Sequence, residues 1–124
     1  MNEIATAILE KNKYGVLSTV REDGSPWATP VHIAYKGSNL YWFSNEDTVH
    51  SINIARNNKV FITIFDSAQK SKEPGEHGAL YISTQATQLR GQVADEARAV
   101  FNEKYPAKSV EDRLYFKCSE DSPS

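Results

Sequence analysis

The dipeptide Asp23-Gly24 lies between two runs rich in β-branched and aromatic residues, YGVLSTV and WATPVHIAY. Asp-Gly readily supplies the positive φ that tight hairpin turns require, so this spacing predicts two antiparallel strands joined across REDGSP. The punctuation then recurs. KGSN separates WATPVHIAY from LYWF, and KVFITIF has the β-branched and aromatic content of a buried strand. ALYISTQATQLRGQV reads as one long or bulged strand with Gly91 as a bend, and DRLYFKC as a last strand. Helical spacing is confined to short stretches. Ile4, Ile8 and Leu9 follow a candidate cap at Asn2, with Gly15 as the stop. Asp95 is a candidate cap for DEARAVFNEKY, where Ala97, Val100, Phe101 and Tyr105 form an apolar stripe ended by Pro106. Strands that do not alternate regularly with helices predict a mostly β fold with short α-helices, a small antiparallel barrel of about six strands with helices at its ends.

The second strand has two faces. Trp27, Thr29, Val31, Ile33 and Tyr35 fall on one, and Ala28, Pro30, His32 and Ala34 on the other. Pro30 has no N–H to donate, which predicts an edge or an irregularity there. Residues 1–118 are expected to form one domain, and SEDSPS (119–124) a disordered tail. Asp66 to Gly78 is a long polar connection.

Charge and composition narrow the function. A net charge of −2, with no block of lysine or arginine at either terminus, gives no footprint for nucleic acid or an anionic membrane. No apolar run approaches bilayer length. MNEIATAILEKNKYG lacks the basic start and cleavage site of a signal peptide, so a soluble, cytoplasmic protein is expected. The single cysteine, Cys118, has no internal disulfide partner and reads as a half-buried strand residue. His32, His50 and His77 are widely spaced, without a metal-ligand motif, and no nucleophile elbow or phosphate loop of the Walker type occurs.

The segment FSNEDTVHSINIARNNKV (43–60) carries more information. With Thr48 or Asp47 as cap, a helix would run to about Asn57, placing Val49, Ile52 and Ala55 inward and His50, Asn53 and Asn57 on another face. The helix start offers unpaired amides and a partial positive charge. Ser44, Thr48 and Ser51 add hydroxyls and His50 a possible cation, an environment suited to a phosphate. Hydroxyl residues also gather before helices simply to cap them, and Glu46 and Asp47 oppose an anion.

Three stretches in order, GVLSTVREDGSPWATPV, LYWFSNEDTVHSINIARNNKV and GALYISTQATQL, resemble the pyridoxamine 5′-phosphate oxidase-like family of flavin-binding split barrels. The resemblance covers roughly residues 14–93. It implies a six-stranded split β-barrel that forms a homodimer, with FMN at the subunit interface. It places Thr29, Pro30 and Val31 along the flavin, and Phe43, Ser44, Thr48, Val49 and His50 at the phosphate. Gly78 and Ala79 would approach from the partner subunit. Many relatives carry an arginine and lysine pair where this chain has Val49 and His50, and basic residues for the flavin where it has Thr29 and Ala34. Vitamin B6 oxidation is therefore not the first expectation. The implied activity is that of an FMN-dependent oxidoreductase acting on an unidentified small organic substrate. The alternatives are a non-catalytic flavin-binding dimer, or a relative using a deazaflavin or haem at the same interface. No catalytic residue is assigned. His32 and His77 are candidate substrate contacts, Trp27, Tyr35, Tyr41 and Trp42 candidate stacking groups, and Arg56 a candidate phosphate partner, each with an ordinary packing or surface role as the competing reading.

Overall fold

The computed structural model describes residues 3–45, 47–65, 79–106 and 114–119. Helix α1 (Glu3–Lys11) precedes strands β1 (Tyr14–Val20), β2 (Pro26–Lys36) and β3 (Asn39–Ser44). Helix α2 (Val49–Arg56), strands β4 (Lys59–Phe65), β5 (Ala79–Gln85) and β6 (Thr87–Leu89), helix α3 (Gln92–Lys104) and strand β7 (Leu114–Ser119) follow. The strands run in the order β5-β4-β1-β2-β3-β7-β6, and every pairing is antiparallel. Two stretches turn the corners of this split barrel. β2 pairs with β1 from Pro26 to His32 and with β3 from Ile33 to Lys36. The run 79–89 pairs with β4 before Ala86 and with β7 after it.

Ala86 is the reason the expected six strands become seven. Its amide donates to the carbonyl of Asn58 (2.8 Å), the last rung of the β4 register before the chain turns to β7, so the one long or bulged strand read from the sequence divides into β5 and β6. Pro30 meets its expectation, because among the described residues only β1 pairs with β2 at that position and the other edge is open. The Asp23-Gly24 turn also forms as read. Gly24 adopts φ 88°, its amide donates to Arg21 O (2.9 Å), and Asp23 Oδ1 accepts from Ser25 N (3.0 Å).

Leu17, Ile33, Leu40, Trp42, Ile62, Ile64 and Phe116 fill the barrel, with Trp42 stacked on Phe116 at 5.7 Å. Leu9 of α1 joins this core. A second core lies outside the sheet, where Ala97, Val100 and Phe101 of α3 cover Ala34 and Tyr41. β4 is buried on one face only. Val60, Ile62 and Ile64 point in, while Phe61 and Phe65 are exposed. α3 starts a turn earlier than Asp95, with Gly91 (φ 61°) at its N-cap and Asp95 inside the first turn, paired with Arg98. The positive φ that marks Gly91 as a bend serves the helix start.

The end of α3 ties the two cores together. Lys104 Nζ donates to Asn12 O (2.6 Å) and Leu9 O (3.2 Å), capping carbonyls at the C-terminal end of α1. Burial pushes the Lys104 ammonium down to about 8, with Glu10 opposing. The Tyr105 hydroxyl lies 2.7 Å from Ile33 O and 3.1 Å from Lys13 O, and its burial pushes it up to about 12. Asn2, the loop 66–78 and residues 120–124 lie outside the described residues, whereas Ser119, expected in the tail, ends β7. No described helix is long and apolar enough to cross a membrane.

Gly15 is a core position of β1 and not the end of a helix. A Cβ there would meet Ile64 at 3.1 Å and Ile33 and Ile62 at 3.3 Å, all three fully buried. Gly15→Ala is expected to lower stability by about 1–2 kcal/mol, the overpacking cost less the reduced entropy of the unfolded chain. Urea unfolding of the two proteins measures it.

Candidate cofactor site

Alternation along β3 sends Leu40, Trp42 and Ser44 into the barrel and Tyr41 and Phe43 toward α3. Ser44 is thus a hydroxyl at the rim of an apolar interior. Four residues later Thr48 adopts the extended conformation of an N-cap (φ −73°, ψ 154°), and its Oγ1 accepts from Ser51 N (3.3 Å). The same hydroxyl donates to Asn45 O (2.9 Å) and lies 2.8 Å from Ser51 Oγ. His50 Nε2 sits 2.5 Å from Ser44 Oγ and 3.4 Å from Thr48 Oγ1. Ser44, His50 and Ser51 are all buried.

Two further bonds fix how α2 is rotated. Asn53 Nδ2 donates to Thr19 Oγ1 (2.9 Å), both buried, and Arg56 Nη2 donates to Val20 O (2.6 Å). His50 and Asn53 are three residues apart and share a face, so bonds to β3 and β1 turn that polar face inward. This reverses the sequence expectation for the apolar positions. Val49, Ile52 and Ala55 face out, Val49 and Ile52 being 39% and 53% exposed, and Ile54 supplies the buried apolar contact.

Burial also lowers the pKa of His50. The side chain held by Ser44 is therefore charged less readily than a free imidazole, which weakens its reading as a possible cation. What remains at the helix start is still suited to an anion. The first turn of α2 contains no acid, and the amides of Val49 and His50 meet no acceptor among the described residues. Three hydroxyls adjoin them. This donor set fits a phosphate ester held by amides and alcohols, with less fixed positive charge than an arginine and lysine pair would supply.

The remaining sequence candidates are dispersed. Thr29, Pro30 and Val31 lie where β2 has an open edge, Thr29 half-buried, Pro30 exposed and Val31 in the core. The Phe43 side chain points away from Ser44, stacking on His32 (5.7 Å) and meeting Phe101 edge-on (4.9 Å). His32 also contacts Tyr14 (4.5 Å) and Tyr105 (5.6 Å), a packed strand histidine. Arg56 ends α2, roughly 10 Å along the axis from Val49, with its guanidinium bonded to Val20 O. Ala79 pairs with Phe65 toward the Tyr14 end of the sheet, whereas α2 is tied to the Val20 end. Gly78, His77 and Glu46 lie outside the described residues. Trp42 is core, Tyr41 packs under α3, and Cys118 is buried, its thiol pushed up to about 12. Among the described residues no three His, Cys, Asp or Glu side chains are grouped to hold a metal. Sequence reading missed Thr19 as the anchor of Asn53, since its signal was only a hydroxyl at an inward position of β1.

A family model for pyridoxamine 5′-phosphate oxidase matches residues 1–122. The chain belongs to that family. Among solved structures, a haem-binding protein from Mycobacterium smegmatis superposes with a TM-score of 0.78 at 21% identity, over 94% of this chain and 49% of its own. The chain therefore spans about half the length of that protein. An F420 reductase (TM-score 0.69, 21% identity, 91% and 90% covered) and a FAD-binding protein from Mesorhizobium loti (0.68, 16%, 96% and 89%) share the fold as well. At these identities the likeness is one of fold. No curated protein matches the chain.

Two measurements check the helix anchor. Thr48→Ala removes the cap and is expected to cost about 1 kcal/mol in urea unfolding. His50 titrates lower in the folded chain than in the unfolded one, so its share of stability is complete above pH 6.5 and declines as the pH falls below that value. His50→Gln should flatten the loss between pH 6.5 and 5 in thermal melts.

Proposed function

We propose that the chain is an FMN-dependent oxidoreductase whose FMN phosphate is held at the start of α2. The observation that carries this reading is the acid-free first turn of α2, capped by Thr48 with Asp47 before it, with Ser44 and Ser51 beside it and the open edge of β2. The amides of Val49 and His50 and the hydroxyls of Ser44, Thr48 and Ser51 would bind the phosphate. Thr29, Pro30 and Val31 would lie along the flavin, with Val31 supplying apolar backing. Bound FMN would supply the redox chemistry for a small organic substrate, and the protein the orientation and the exclusion of water. No side chain is assigned as acid or base.

A homodimer belongs to this reading. Val16, Phe61 and Tyr81 lie on the outer face of β1, β4 and β5, where Val16 is in register with Thr63 and Thr63 with Tyr81. Phe61 and Tyr81 stack at 6.0 Å with 37% and 65% of their surfaces exposed. An apolar face of this kind suits a two-fold contact, which would also carry Ala79, and Gly78 before it, toward the partner's site.

A second reading rests on Val49 and the buried His50. With no fixed cation at the phosphate position, a deazaflavin or haem is the competing ligand, consistent with what the F420 reductase and the haem-binding protein are named for. The absorption spectrum of purified protein after addition of each compound separates these readings. A flavin spectrum without turnover of any donor and acceptor pair would leave a flavin-binding dimer.

FMN binding is expected to be linked to proton uptake. A phosphate beside His50 raises its pKa, and the resulting charge-assisted bond is worth roughly 1.5–3 kcal/mol, or ten- to a hundredfold in affinity. Fluorescence titration should show tighter binding as the pH drops from 7.5 to 6. His50→Ala should bind at least tenfold more weakly at pH 6 and lose the pH dependence. An unchanged dissociation constant removes His50 from the site.

A further inference from the structure

Between the β1–β2 turn and the outward face of α2 lies an open cleft of about 420 Å³. Arg21 and Arg56 stand in its wall, Val49 and Ile52 form an apolar floor, and Glu22 and Asp23 lie at the turn. Both guanidinium groups are held from behind. Arg21 lies over the Trp27 ring at 5.2 Å while its Nε donates to Ser25 Oγ (3.0 Å). Arg56 spends Nη2 on Val20 O (2.6 Å) and Asn53 Oδ1 (3.4 Å). Since a guanidinium carries five N–H donors, each arginine keeps several for which no described residue provides an acceptor.

The placement of the two cations is informative. Arg56 is bonded to the carbonyl of the residue preceding Arg21, so two positive groups are drawn to one wall, and Asp23 beside them feels the Arg21 charge without a direct hydrogen bond to either guanidinium among the described residues. One of the two acids is occupied locally. Asp23 Oδ1 accepts from Ser25 N (3.0 Å) and Ser25 Oγ (2.5 Å), leaving Glu22 as the other acid at the rim. Anchored guanidinium groups lose little further freedom on binding a carboxylate, and a low-charge floor beside them favours a ligand with an apolar body. Two of the three apolar side chains that the polar anchoring of α2 turns outward make this floor.

We propose that this cleft binds a small amphipathic organic carboxylate, its anionic group on Arg21 and Arg56 and its apolar ring or chain on Val49 and Ile52. The site is separate from the helix start, touching it only through Val49, and it stands whether or not FMN is bound there.

Equilibrium dialysis of the full chain with 2-naphthoate tests it, with 2-naphthamide as the uncharged analogue of the same shape. Saturable binding of the carboxylate is expected, at least tenfold tighter than the amide, and at least tenfold weaker in Arg21→Gln. Arg21 is exposed on a turn, so the variant should keep the wild-type melting temperature, and its FMN titration reports on the cofactor separately. Equal affinity for acid and amide, no saturable binding, or an unchanged affinity in a folded Arg21→Gln would overturn the proposal.

Discussion

The change of partner along the run 79–89 organises much of this fold. The Ala86 amide bonds the Asn58 carbonyl as the last rung of the β4 register, and the chain then leaves β4 and reaches β7. Without that change of partner the order β5-β4-β1-β2-β3-β7-β6 would remain an open sheet. β2 makes the other corner without a break in its backbone, changing partner between His32 and Ile33. The consequence at the site is direct. Because β3 pairs with β2 only from Asn39 to Trp42, one edge of β2 stays open beside the residues that lead into α2.

Much of the architecture was legible because local signals agreed with the global result. The Asp-Gly turn, the period-two alternation of β2 and the missing donor of Pro30 each pointed to the element that formed. The family stretches gave the barrel. Failures occurred where tertiary contacts outweighed local preference. Gly15 looks like a helix terminator in one dimension, but it is the small residue that three isoleucines need. Asp95 is a good cap by composition, yet Gly91 with positive φ begins the helix a turn earlier, since Ala94 must reach the core.

α2 shows the limit of reading a helix from hydrophobicity. Val49, Ile52 and Ala55 have the spacing of a buried stripe, and burial of apolar area would favour turning them in. Bonds from His50 to Ser44 and from Asn53 to Thr19 hold the opposite face against the barrel. Their partners lie on other strands, Thr19 being 34 residues from Asn53 in sequence, so no window along the helix contains the information. The candidate site was accordingly half legible. Its hydroxyls and cap could be named from the sequence, while the burial of His50 and the bond that holds Arg56 to Val20 required the geometry.

The clamp at the end of α3 bears on how the chain acquires its structure. Lys104 reaches a carbonyl 95 residues earlier in the sequence, and Tyr105 one 72 residues earlier. Ordering so long a segment before any such contact can form is entropically demanding. The first and third helices should consequently dock late and open as one cooperative unit, so that amide exchange near the chain's beginning reports on events at its opposite extremity.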